Sequence, residues 1–232
     1  ALCKPAARRP CAYRHRGLRL RNGGHAVADV LFGDANPSAK LTTSWLRTLG
    51  QIPYSYNHKN TGRPHPDYAG YRKFVSTYMD VVNGPLFPFG YGLSYTTFEY
   101  SDISATAEVP TSAEGVELSF TVRNTGSVAA DEVAQIYLSP TSADQQIRPR
   151  QLQGFARVSL KPGESKTVRM KLYTDQFGYY KHEGERSWNI TPGKYLLKVG
   201  ASSDDIRLQT EVILTGKPVK KRIRDNYFSE IL

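Results

Sequence analysis

The chain has 232 residues, room for one or two domains with a real core. No apolar run approaches the roughly 18 residues a membrane helix needs, so no membrane partner is expected. A formal charge of +10 would suit a nucleic-acid binder, but the excess sits at the two ends. Residues 1–22 hold Lys4, Arg8, Arg9, Arg14, Arg16, Arg19 and Arg21 without an acid. Residues 217–232 hold Lys217, Lys220, Lys221, Arg222 and Arg224 against Asp225 and Glu230, and the span between is neutral. Both ends read as solvated, and no nucleic-acid partner is expected.

In chain order, residues 1–22 lack any 3.6 or 2 periodicity, and Pro5 and Pro10 interrupt a helix. Charges break Leu2 to Leu20 throughout, so the stretch does not read as a signal peptide. Cys3 and Cys11 both lie in it, which leaves the body of the protein without a disulfide or a thiolate metal site. From His25 a pattern begins. Ala26, Val27, Val30 and Leu31 share one face of a short helix, and Gly33 suits a left-handed C-cap. Asp34 to Ser38 is a turn cluster around Pro37, and Leu41, Thr43 and Trp45 alternate as a strand would. One helix and one strand cannot bury their own faces, so this reads as the end of an α/β unit.

Gln51 to Pro88 carries five prolines, several tyrosines and no clear period. So long a loop is expected to be functional or packed on a neighbour. Phe87, Phe89, Tyr91 and Tyr95 then offer apolar area for docking between glycines that permit tight turns. From Phe98 the period is 2. Val116, Leu118, Phe120 and Val122 alternate with polar residues, and Val133–Leu138, Thr167–Leu172, Lys194–Val199 and Ile206–Leu214 follow as strands. Asn124–Gly126, Lys161–Glu164 and Thr191–Lys194 are the turns among them. Short alternating strands at this spacing predict a β-sandwich from about Phe98 to Leu214. Phe120, Val122, Ile136, Leu138, Val168, Leu197 and Val199 are its expected core.

Several stretches resemble family 3 glycoside hydrolases, most closely the bacterial periplasmic-type β-glucosidases. Ala26–Asp34 (AVADVLFGD), Asn36–Ser38, Lys40–Leu41, Tyr56–Lys59, Thr61–Arg63 and Phe87–Thr96 (FPFGYGLSYT) are similar to the end of that family's α/β sandwich domain. Asn124–Gly126, Val133–Leu138 and Leu160–Glu164 are similar to its C-terminal fibronectin type III-like domain. The resemblance runs from about Gly23 to Thr215. It implies a mainly β fold, an Ig-like sandwich (98–215) preceded by a remnant of the α/β domain with its linker (23–97) and followed by a basic tail (216–232). Residues 1–22 depart from the family. An Arg/Ala/Pro/Cys-rich stretch ending abruptly at a matching motif fits out-of-frame reading of GC-rich DNA better than a divergent leader.

The implied activity is retaining hydrolysis of β-linked sugars by two carboxylates. In the family the nucleophilic Asp lies on an N-terminal barrel and the acid/base Glu earlier in the α/β sandwich. Both would precede residue 1, so no catalytic, cofactor-binding or metal-binding residue is assigned. The implied partners are the barrel and α/β portion of the same enzyme and, in the whole enzyme, a β-linked glucoside or oligosaccharide. The family's periplasmic or extracellular location gives this chain none.

The remaining candidates have plainer readings. His58, in a polar loop, could contact sugar but is more simply part of a loop held against the barrel. Glu183 and Glu185 read as a solvated hairpin, Asp204 and Asp205 as a turn, and Asn189–Thr191 as a chance glycosylation sequon. Lys220–Arg224 reads as a solvated tail. Two classes of function stand: the C-terminal piece of a β-glucosidase, structural in itself, or a free-standing fibronectin-like binding module. The orphan helix and strand over Ala26–Trp45 favour the first.

Overall fold

The computed structural model of the protein describes residues 23–59, 63, 73–141, 150–181, 184 and 186–232. Both cysteines, the basic leader, Glu183 and Glu185 lie outside them. Helix α1 (Gly23–Leu31) forms where the apolar spacing placed it, and Gly33 follows at φ +84 as its left-handed cap. The strand expected over Lys40–Trp45 does not form. Trp45 makes only an isolated antiparallel bridge to Phe87, because the described structure sets no strand ladder beside this segment.

The sandwich follows. Its strands are β1 (Phe98–Ala105), β2 (Glu108–Pro110), β3 (Gly115–Asn124), β4 (Ala130–Pro140), β5 (Gln151–Leu160), β6 (Ser165–Tyr173), β7 (Tyr179–Lys181), β8 (Ser187–Ile190), β9 (Gly193–Gly200), β10 (Ile206–Thr215), β11 (Val219–Lys221) and β12 (Glu230–Ile231). They make a four-stranded sheet ordered β1-β3-β6-β12, a five-stranded sheet ordered β2-β10-β9-β4-β5, and a three-stranded sheet ordered β11-β8-β7. The larger two enclose the core. Val116, Leu118, Phe120 and Val122 point inward from β3, and all the expected core residues are buried. Asn124 secures the first turn from within: its Oδ1 accepts from Gly126 N at 3.1 Å and its Nδ2 donates to Val128 O at 2.8 Å. Lys161–Glu164 turns as expected, with Glu164 N on Lys161 O at 3.0 Å and Gly163 at φ +74.

Strand β4 departs from alternation. Ala134 to Ser139 are buried without a break, so both faces of the strand are covered. Ala134, Ile136 and Leu138 face the core. Gln135 and Tyr137 face outward, where Gly90 and Tyr56 meet them.

The basic tail keeps Lys217, Lys220 and Arg222 exposed, as its charge suggested, but it is bound to the sandwich rather than free. Val219–Lys221 pairs with β8, and Glu230 and Ile231 pair with Lys171 and Met170 of β6. The carboxylate of Asp175, buried in the 3-10 turn Thr174–Phe177, holds the span between. It accepts from Lys221 Nζ at 2.7 Å and from Asp225 N and Asn226 N at 3.1 Å each. Arg224 lies between the rings of Trp188 and Tyr227, 5.5 and 5.1 Å from their centroids. Ser229 fills the space a side chain on Gly154 would take, so the tail crosses the open side of the sandwich between β5 and β6. A desolvated carboxylate and an aromatic sleeve for arginine outweigh the cluster's solubility.

Candidate functional site

The chain's distinctive surface lies where the described residues between 36 and 95 dock on the outer face of the five-stranded sheet. Aromatic stacking sets the first contact. Tyr56 stacks on Phe89 with centroids 4.0 Å apart and meets Tyr137 edge-on at 6.2 Å, while its hydroxyl accepts from Leu152 N at 3.2 Å. Burial pushes the Tyr137 hydroxyl well up, so it stays a donor and binds Gln135 Oε1 at 2.5 Å. Gln135 Nε2 in turn donates to Gly90 O at 3.0 Å and Ala201 O at 2.8 Å. Gly90 has to be glycine: its φ is +80, and a Cβ there would run into the Gln135 side chain.

Charged contacts flank this centre. Lys40 Nζ lies 3.2 Å from Glu132 Oε1, which also accepts from Tyr100 OH at 2.8 Å. Burial, then the charge of Glu132, raises the Tyr100 pKa far above its ordinary value. Arg157 binds Asp131 Oδ2 through Nη2 at 2.6 Å and Nε at 2.9 Å, and reaches Ser38 Oγ at 3.0 Å. Ser38, Lys40, Tyr100, Asp131 and Glu132 border a cleft of about 250 Å³ between the docked segment and the sheet. Each of its carboxylates is tied to a base, Asp131 to Arg157, Glu132 to Lys40 and Asp205 to Arg207. The chemistry of this face is attachment.

The segment is also knitted within itself. Fully buried Gln51 donates to Val82 O and Gly84 O at 3.2 Å each and accepts from Arg47 N at 2.8 Å. Asn36 Oδ1 accepts from Tyr95 N at 2.9 Å, and Tyr95 OH donates to Val30 O at 2.5 Å, which ties α1 to the aromatic strip. Yet the apolar face of this half stays open. Helix α1 has no buried residue, and Leu31, Phe32, Trp45, Leu49, Phe74 and Met79 are all exposed, Phe32 at 84% and Met79 at 87%.

The singled-out residues fall elsewhere. His58 is exposed on the loop, its Nδ1 3.1 Å from Lys59 O and its ring edge-on to Tyr54 at 6.4 Å. Asp204 and Asp205 do form the turn before β10, paired with Arg150 and Arg207. Asn189 of the sequon is buried, its amide donating to Ser187 O at 2.9 Å, so the folded chain does not present it. Lys40 and Gln135 enter the sequence reading only as members of matching motifs, and Glu132 and Arg157 not at all. The apolar residues on both sides of Gln135, at successive rather than alternate positions, were the signal of a docking face, since a strand covered on both faces needs something to cover it.

A fibronectin-like sandwich carrying the end of an α/β layer on its outer sheet is the class these contacts define. Residues 15–95 match the Glycosyl hydrolase family 3 C-terminal domain, and residues 132–203 match the Fibronectin type III-like domain. The chain therefore belongs to glycoside hydrolase family 3. The match begins at residue 15, so residues 15–22 fall within the family match rather than outside it as the sequence motifs alone imply.

The chain is 42% identical over 186 residues to the periplasmic beta-glucosidase of Salmonella typhimurium, covering 80% of this chain and 24% of that protein. It is 41% identical over 198 residues to a beta-xylosidase of Formosa agariphila, covering 84% and 25%. The beta-glucosidase of Listeria innocua in complex with isofagomine matches with a TM-score of 0.76 at 39% identity, over 84% of this chain and 27% of that one. The chain spans about a quarter of the length of these relatives.

Proposed function

We propose that the chain serves as the C-terminal docking part of a retaining glycosidase acting on β-linked glucosides, structural rather than catalytic in itself. Residues 23–97 close that enzyme's α/β layer, residues 98–215 are its fibronectin type III-like domain, and residues 216–232 strap the sandwich. One observation carries the reading. The half that matches the enzyme domain is pinned to the sandwich by directed bonds while Leu31, Phe32, Trp45, Leu49, Phe74 and Met79 stay open, as an incomplete layer must leave them. Retaining hydrolysis needs two carboxyl groups about 5–5.5 Å apart across a sugar pocket on a rigid scaffold. The barrel and the earlier α/β portion would supply them, and the loop at His58 would rest against that barrel.

The test is activity with and without that portion. The purified chain should not release product from an aryl β-glucoside between about pH 4 and 8. Adding the Salmonella relative without its matched C-terminal quarter should restore turnover. Hydrolysis by the chain alone, abolished by replacing one of its own Asp or Glu residues, would overturn the proposal.

A further inference from the structure

Phe155 stands apart from the rest of the sandwich. Among the described residues of the five-stranded sheet it alone is a large apolar side chain left exposed, at 59%. Its position explains the exposure. Phe155 pairs with Gln135 across β4 and β5, so it shares the outer face with the Gln135–Gly90 contact. On one side of it Leu152 N binds Tyr56 OH; on the other Arg157 binds Ser38. The docked segment thus touches the edge strand on both sides of this ring and leaves the ring open. An aromatic side chain framed by fixed polar contacts has the layout of an interface hot spot, an apolar centre within a polar rim.

We infer that Phe155 is an anchor through which the sandwich itself, and not only residues 23–95, grips the N-terminal part of the family 3 enzyme. The occupant is an apolar patch on that part. The quarter-length span of the chain against its relatives and the continuity of Phe155 with the face already used for docking both point to it. This rests on the proposed function.

The experiment measures binding of the full chain to the Salmonella relative lacking its matched quarter, by calorimetry, for wild type, Phe155→Ser and Phe155→Leu. Wild type should bind, and Phe155→Ser should bind roughly 10-fold or more weakly, the loss expected of a central aromatic anchor. Phe155→Leu should recover part of the affinity, and all three chains should melt at the same temperature. Equal affinities for wild type and Phe155→Ser would overturn this inference while leaving the proposed function standing. No binding by wild type would overturn both. Self-association of the chain in sedimentation, abolished by Phe155→Ser, would assign the ring to a second copy and refute the inference.

Discussion

Asp175 is the tail's main attachment, and Asp175→Asn tests how much of the fold's stability passes through it. Asparagine retains one acceptor for the N–H groups of Asp225 and Asn226 but removes the charge 2.7 Å from Lys221 Nζ. Hydrogen bonds to charged groups contribute about 1.5–3 kcal/mol each, against about 1 kcal/mol for neutral ones. Part of the loss is recovered because Lys221 also reaches Asp225 Oδ2 at 2.9 Å and water. A destabilisation of about 2 kcal/mol near pH 7 follows. Burial alone would raise the Asp175 pKa, but the bonds from Lys221 and from the backbone of Asn226 and Asp225 outweigh it and hold the carboxyl below its usual range. A depressed folded pKa stabilises above the unfolded value of about 3.9, and the gain is lost as pH falls through the folded value. The gap between wild type and Asp175→Asn should therefore narrow from about pH 7 to about pH 3. Urea midpoints followed by Trp188 fluorescence read this directly, because the indole donates to Asp175 O at 3.1 Å and stacks with Arg224. A gap of equal size at both pH values, or none at neutral pH, would refute the reasoning.

Two further substitutions probe the core and the docking face. Phe120, fully buried and stacked on Tyr100 at 6.5 Å, should cost about 3–5 kcal/mol as Phe120→Ala, and an unchanged denaturation midpoint would show that the ring is not a core member. Gly90→Ala should cost about 1–3 kcal/mol through its positive φ and displace Gln135. Faster hydrogen exchange over residues 51–59 with the sandwich core unaffected is the expected result, and an unaltered segment would refute the role given to Gly90.

The sandwich was legible because its signals are local. Val116, Leu118, Phe120 and Val122 alternate, and Lys161–Glu164 announces its own turn, so neither needed knowledge of distant chain. Helix α1 and its Gly33 cap were legible for the same reason. Lys40–Trp45 misled because alternation describes which side chains share a face, not whether a partner strand exists. The tail misled because net charge reports solubility and not the single buried acceptor, Asp175, to which that charge returns. The docking contacts were least visible. Lys40 and Glu132, or Ser38 and Arg157, lie about a hundred residues apart in sequence, and only the folded sheet brings them together.

The two halves of the described chain solve the burial problem differently. The sandwich closes on itself: apolar residues of β3, β4, β6 and β9 meet inside, the tail covers the gap beside Gly154, and Phe155 is the exception on the five-stranded sheet. Segment 23–95 keeps Leu31, Phe32, Trp45, Leu49 and Met79 open, yet it is not loosely attached. Apolar contact alone is non-directional and would allow the segment to slide over the sheet. The bonds Lys40–Glu132, Arg157–Ser38 and Gln135–Gly90 fix its register instead. A surface held in one geometry before it meets a partner loses less conformational freedom on assembly. Directed polar contacts to the sheet and the exposed apolar side chains of the segment are therefore complementary: the first orient what the second bury.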